Sequence, residues 1–380
     1  MMKKQFWMFL FILGIAGCLV GQGNVSVVLS GNKLLFSTEG IFGLGGEILE
    51  EDAALLALMK ARYASVQNAV SYLMKNPQVV PLKNEAQGAA LTTGLITIEE
   101  ENPGKKYING QQCYSNKYVM TLDLNTMRQR YSQIQKQPWF MKSLQMDYDR
   151  FASLCMQLEK IESQTTPVEF SKIQAIVKQL KASEWAFKGL QLKNAAAQVQ
   201  QFDQALVLDP DYAFARLQRG KAYQRMKAYE KALQDFNWLI QRYPNWIEAF
   251  HARGVTSGLM ENYDQVIQDF QKVLQSDPAC VSALINRGIA YSKTDQLDAA
   301  LADYQKALEI EPGHVVANYN SACIYALRGD VSAALGAIES ALKSGFSDLD
   351  AIRNDEDLKS LHGNQAFEDL LSQYKKTTLE

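Results

Sequence analysis

Three histidines, five cysteines and two glycine-rich stretches are the places where this 380-residue sequence offers chemistry. His251, His314 and His362 stand far apart, none in an HExxH helix and none near a nucleophile it would activate. No GxSxG elbow exists. Gly40 to Gly46 lacks both the GK[ST] that completes a phosphate loop and the spacing of a dinucleotide fingerprint, so it reads as a flexible strand or turn. Gly104-Lys105-Lys106 lacks the upstream glycine and lies in a Pro-Gly turn. Cys113, Cys155, Cys280 and Cys323 show no CxxC spacing and no neighbouring histidine, which makes buried free thiols the expectation rather than zinc or redox centres. No catalytic residue, metal ligand or cofactor is therefore expected. A net charge of −2, from 39 basic and 41 acidic residues, argues against a dedicated nucleic-acid surface.

One cysteine differs from the rest. Lys3 and Lys4 precede an apolar run, Phe6 to Val20, of 15 residues. As a helix it rises only about 22 Å, short of the roughly 30 Å hydrocarbon core, so it reads as the h-region of a secretory signal. Within it, Ile15-Ala16-Gly17-Cys18 resembles the bacterial lipobox. That resemblance implies cleavage before Cys18, acylation of its thiol and a lipid anchor on the outer face of a membrane. The alternative is ordinary cleavage after Gly21-Gln22-Gly23, which leaves a soluble periplasmic or secreted protein.

The strongest pattern is a repeat. Pro210, Pro244, Pro278 and Pro312 are separated by 34 residues each. In phase with them run Gly220, Gly254 and Gly288; Ala232, Val266 and Ala300; Phe236, Phe270 and Tyr304; and Leu239, Val273 and Ala307. A glycine lets two helices approach closely, an aromatic fills the space between hairpins, and a proline ends the second helix. These residues resemble the tetratricopeptide repeat (TPR) signature, which implies a helical solenoid of about five repeats. Trp185 and Gly189 fit a first repeat whose inter-helix turn lacks three residues, and Phe346 stands where the last proline belongs. Arg219, Arg253 and Arg287 each precede the glycine, and Asp235, Asp269 and Asp303 follow 16 residues later. Both types vanish together in the last repeat, at Ser321 and Ala337. Joint presence and joint loss predict an ion pair inside each hairpin rather than ligand contacts.

In such arrays the first helix of each repeat lines the concave groove. The groove stripe supplies the candidate peptide-binding residues Lys221, Arg225, His251, Ile285, Asn286, Ile289, Lys293, Tyr319 and Asn320, running from basic to apolar. The two asparagines offer a donor and an acceptor to a peptide backbone. Leu217 and Ala252 exclude the clamp that family members use on chaperone tails. The alternative for the apolar residues is packing against the adjacent repeat or the chain's own tail.

The elements in front differ. Leu34 to Gly46, Leu95 to Glu100 and Lys117 to Asn125 read as strands, with Tyr118, Met120, Leu122 and Leu124 on one side. Ala53 to Met74 reads as a helix, and Asn102-Pro103-Gly104 and Asn109-Gly110 as turns. Thr38-Glu39-Gly40 before the alanine-rich helix and Ala90-Leu91-Thr92-Thr93-Gly94, read as opening the next strand, resemble LPP20-like and flagellar-assembly envelope domains, which implies an envelope-associated structural role. Leu144, Tyr148, Phe151, Cys155 and Leu158 form a helical stripe expected to dock on Ile173, Ile176, Val177 and Leu180 of a helix capped by Thr166 and opened by Pro167.

The fold class expected is mainly α: a leader over 1–17, a small α+β domain over 18–127, a helical linker over 128–180, the TPR α-solenoid over 181–346 and a helical cap over 347–380. The function expected is a non-catalytic scaffold of the bacterial cell envelope that holds an unidentified protein or peptide. An architectural lipoprotein that oligomerises through its front domain or linker is the alternative, and an enzyme the least favoured reading.

Overall fold

The computed structural model describes residues 26–43, 50–108, 111–162 and 167–377. The leader with Cys18, the stretch Leu44 to Gly46, the Asn109-Gly110 turn and the Thr166 cap lie outside the described residues. The chain forms two compact units, Met1–Met226 and Lys227–Glu380.

Unit 1 opens with an antiparallel sheet of β1 (Ser26–Ser30), β2 (Lys33–Gly43), β3 (Thr97–Ile108) and β4 (Gln111–Asp123), in the order β1-β2-β4-β3. Alternation decides its buried face: Leu34 sits opposite Leu122 and Phe36 opposite Met120, and all four are fully buried. Helix α1 (Glu50–Lys75) covers them with Val66, Ala69, Val70 and Leu73. Two expectations fail here. Asn102-Pro103-Gly104 lies inside β3 rather than in a turn, and Pro103 is tolerated because β3 is an edge strand. Ala90 to Gly94 does not open a strand: Ala90 to Thr92 end a short helix, α2 (Glu85–Thr92), and Gly94 follows in the left-handed region at φ +74°. The strand β1 and the helix α2 have no counterpart in the sequence reading.

Helices α3 (Leu124–Lys136), α4 (Pro138–Glu162) and α5 (Pro167–Gln191) form the linker. Phe151, Leu154, Cys155 and Leu158 of α4 bury against Ile176, Val177, Leu180 and Phe187 of α5, as the stripe predicts. The rings of Phe151 and Phe187 meet edge to face at 5.5 Å. Helix α5 does not stop where the linker was expected to stop. Its last turns form the first arm of the first repeat, against α6 (Ala195–Leu208). A Cβ on Gly189 would lie 2.8 Å from Phe202 Cε1, the close approach that the signature glycine serves.

A buried polar network ties these helices to α7 (Ala213–Arg225). Arg150 of α4 donates to Ser183 Oγ at 2.6 Å and to Asp209 Oδ2 at 2.6 Å, with its guanidinium 3.9 Å from the centre of the Tyr212 ring. Tyr212 in turn donates to Asp147 Oδ1 at 2.5 Å. Burial pushes the Asp147 carboxyl up to about 6, against the Tyr212 hydrogen bond and the charges of Arg150 and Arg130. Arg130 spends its own donors on the carbonyls of Leu91 and Thr93.

Unit 2 holds α8 (Tyr229–Arg242), α9 (Ile247–Leu259), α10 (Tyr263–Ser276), α11 (Val281–Lys293), α12 (Leu297–Ile310), α13 (Val315–Leu327) and α14 (Val331–Lys343). Consecutive helices pack as hairpins around Val266, Phe270, Ala300, Tyr304, Ala334 and Ile338, all buried. Gly288 is the tightest point, since a Cβ there would stand 2.5 Å from Tyr304 Cε1. Within each repeat the inter-helix turn passes through the left-handed region: Lys227, Glu261 and Asp295 have φ near +58°, and Gly329 has φ +74°. The array ends in α15 (Leu349–Asn354), a 3₁₀ turn (Glu356–Leu361) and α16 (Gln365–Thr377), which bury Ile352, Leu358, Leu361, Phe367 and Leu371 on the last hairpin. These elements close the apolar end of the array.

Two of the arginines pair inside their hairpins as the register predicts. Arg253 grips Asp269 at 2.7 and 3.0 Å, and Arg287 grips Asp303 at 2.7 and 2.8 Å. A second contact was not foreseen. Arg253 also donates to Asn237, 16 residues earlier on α8, at 2.7 Å. In unit 1 Arg219 reaches back the same distance to Asp203 at 2.8 Å. Arg253 thus joins the helices on both sides of its first arm.

Candidate functional site

The first arms of the repeats in unit 2 are α9, α11 and α13, and their sequences place the candidate residues one helical turn apart. His251 of α9 contacts α11 through Nε2 and Ser282 Oγ at 3.1 Å, and its ring stands edge-on to Phe270 at 5.4 Å. Asn286 donates to the Ser282 carbonyl at 2.7 Å, a bond within its own helix that leaves Oδ1 as an acceptor. His251, Ser282 and Asn286 thus form one polar corner. Along the same arm Ile285 is buried, Ile289 half-buried and Lys293 exposed. Contrary to the sequence reading, a histidine does meet a hydroxyl here: His251 Nε2 and Ser282 Oγ lie within hydrogen-bond reach, and the corner offers donors and acceptors to a bound polar group.

The α13 end is different. The Tyr319 hydroxyl donates to Asp355 Oδ2, and its ring stacks on Phe346 at 4.6 Å and 9°. Burial and the Asp355 carboxylate raise the Tyr319 hydroxyl well above its ordinary range. Cys323 donates to the same carboxylate at 3.8 Å. The chain's own tail covers Tyr319, which matches the tail-packing alternative rather than an open groove. Asn320 donates to the Tyr304 hydroxyl at 3.4 Å, between the arms. Cys323, Asp355 and Asp357 offer three ligand atoms within 4.8 Å of one another. Burial and Asp355 push the Cys323 thiol up to about 12, which suits its role as a hydrogen-bond donor to Asp355.

Lys221 and Arg225 belong to unit 1. The Lys221 ammonium lies 5.4 Å from the centre of the Phe140 ring, and Arg225 donates to Gln198 of α6. Both cations are held by unit 1's own side chains. The arginines before the signature glycines are likewise engaged, as the register implied. All four cysteines outside the leader are buried free thiols.

Two residues of this region were missed in the sequence. Ser282 holds the repeat position of Glu248 and Val316, so the 34-residue register names it once applied without a gap. Asp355 lies beyond the array, where no register applies. Among the described residues, no helix is long and apolar enough to cross a membrane.

Family models described as tetratricopeptide repeat match residues 214–245 and 281–314. Among solved structures the chain is similar to a MamA RS-1 double mutant, at 17% identity and a TM-score of 0.42, over 43% of this chain and 94% of that one. A MamA structure from Desulfovibrio magneticus RS-1 aligns at 19% identity and a TM-score of 0.40, over 43% and 93%. A MamA AMB-1 structure aligns at 20% and 0.40, over 48% and 98%. No curated protein matches the chain.

Proposed function

We propose, on the premise that this chain is a tetratricopeptide-repeat protein, that it is a non-catalytic scaffold which holds a peptide segment along the first arms of unit 2. The observation that carries this reading is the corner of His251, Ser282 and Asn286, continued by Ile289 and Lys293 on α11. Asn286 Oδ1 accepts a peptide N–H, Ile289 takes an apolar side chain, and Lys293 faces an acidic one. Tyr319 is left out of the ligand contacts, since Asp355 and Phe346 occupy it. Capture of partners from native membranes, by the parent chain and by an Asn286→Ala, Ile289→Ala, Lys293→Ala variant of parent stability, tests the groove. Loss of a partner supports it; retention of every partner sinks it.

The scaffold works at the bacterial cell envelope in this reading, anchored through acylated Cys18. Support comes from the Lys3-Lys4 and Phe6–Val20 leader and the Ile15-Ala16-Gly17-Cys18 motif. Cys18→Ala abolishes acyl labelling if the anchor is real, and unchanged processing points to ordinary secretion.

A further inference from the structure

The sheet of unit 1 has two edges, and they are built differently. The β3 sequence contains Glu99, Glu100, Glu101, Pro103, Lys105 and Lys106, and its register on β4 slips between Ile98 and Glu100. Charge, a proline and a bulge each stop another chain from adding to an edge. β1, at the other edge, reads Ser26-Val27-Val28-Leu29-Ser30 and has none of these devices. Among the described residues only β2 pairs with it, so its outer row of N–H and C=O groups turns away from the sheet. Val28 is 54% exposed and Leu29 49%.

We propose that β1 pairs with β1 of a second copy, antiparallel about a two-fold axis through Val28. The strand reads almost alike in both directions. The axis sets Ser26 opposite Ser30 of the second copy, Val27 opposite Leu29, and Val28 opposite itself. An isologous contact requires this self-complementarity, because every pairing occurs twice in opposite senses. Charge agrees: a neutral strand meets a neutral strand, with no like charges opposed and no charge desolvated. Pairing β1 with a β3 edge would instead set Val28 and Leu29 against glutamates and lysines. The area limits the strength. Two valines and two leucines, each half exposed, cover on the order of a few hundred Å², below the roughly 1,200 Å² of a stable interface. The dimer is thus concentration-dependent rather than obligate.

Cysteine cross-linking in the full chain tests both the contact and its register. With Val28→Cys the two thiols face each other across the axis, within disulfide reach. With Ser30→Cys they stand about 14 Å apart along the strands, beyond it. Mild oxidation of Val28→Cys yields at least tenfold more covalent dimer than Ser30→Cys or the parent chain. Equal yields at both positions, or none at Val28→Cys, overturn the proposal. A second variant checks the energetics: Val28→Lys sets two lysines face to face and moves self-association, read by light scattering, to at least tenfold higher concentration. An unchanged concentration dependence overturns it, as does a parent chain that stays monomeric while its β1 edge is protected by a strand from another protein.

Discussion

Glycine-to-alanine substitution at three helical positions of unit 2 has one chemistry and three expected signs. In a helix interior the change gains about 1 kcal/mol from backbone entropy and propensity. At Gly336 of α14 nothing lies within 4 Å of the new Cβ, so the whole gain is realised. At Gly254 of α9 the Cβ meets Asp269 Cβ and the Phe270 ring at 3.1 to 3.2 Å, and a shift of a few tenths of an ångström cancels most of it. At Gly288 of α11 the distances to Tyr304 Cε1, Cδ1 and Cζ are 2.5, 2.9 and 3.0 Å. The ring must retreat by nearly an ångström, yet Tyr304 is 1% exposed and has no room to do so. Overpacking of this kind costs about 1–3 kcal/mol. Gly336→Ala is therefore expected to stabilise by up to about 1 kcal/mol, Gly254→Ala to be near neutral, and Gly288→Ala to destabilise by up to about 2 kcal/mol. Urea unfolding of the full chain ranks the three, and hydrogen exchange at α11 and α12 localises the Gly288 effect. Gly288→Ala as stable as Gly336→Ala would refute the claim that this glycine exists for interhelical contact.

Asp303→Ala strands the Arg287 guanidinium and is expected to cost about 1–3 kcal/mol, whereas Arg287→Ser with Asp303→Ala, which copies Ser321 and Ala337 of the last repeat, costs less; equal denaturation midpoints for the two would contradict the pairing. Replacing Lys227, Glu261 and Asp295 by glycine relieves left-handed backbone at three equivalent turns and is expected to add up to about 1 kcal/mol each, read as raised thermal midpoints. Asp147 gives a pH signature of inverted sign. Its folded carboxyl titrates near 6, above the ordinary carboxylate, so its contribution to stability grows as pH falls from 7 towards 4 and is lost as pH rises through 6. The span is about 3 kcal/mol, and Asp147→Asn, which still accepts from Tyr212, is expected to flatten that part of the profile; an unchanged slope in urea midpoints between pH 5 and 7.5 rules the assignment out.

The repeats were legible because each structural duty recurs 34 residues on, so Gly288, Tyr304 and the Arg287–Asp303 pair announce themselves by phase. The left-handed turns were not, since Lys227, Glu261 and Asp295 share a backbone angle but neither a residue type nor a charge sign. In the front domain Pro103 misled for a physical reason: proline signals a turn unless the strand is an edge, and edges are a property of the sheet rather than of the segment. Of the candidate groove, the helical stripe was readable and its occupancy was not. Only the folded chain shows that Asp355 and Phe346 come back over Tyr319.

Helix α5 runs unbroken for 25 residues, from the packing of Leu180 on the linker to the contact of Gly189 with Phe202. Within unit 1 the helix therefore works as a gear shaft between the linker and the first repeat hairpin. Removing one residue near Ala182 would turn everything downstream by about 100° and draw it in by about 1.5 Å, while a seven-residue insertion would nearly restore the facing surfaces, offset by some 20°. The length of this one segment sets how the first repeat is presented, so homologous chains that differ here should differ in whole heptads.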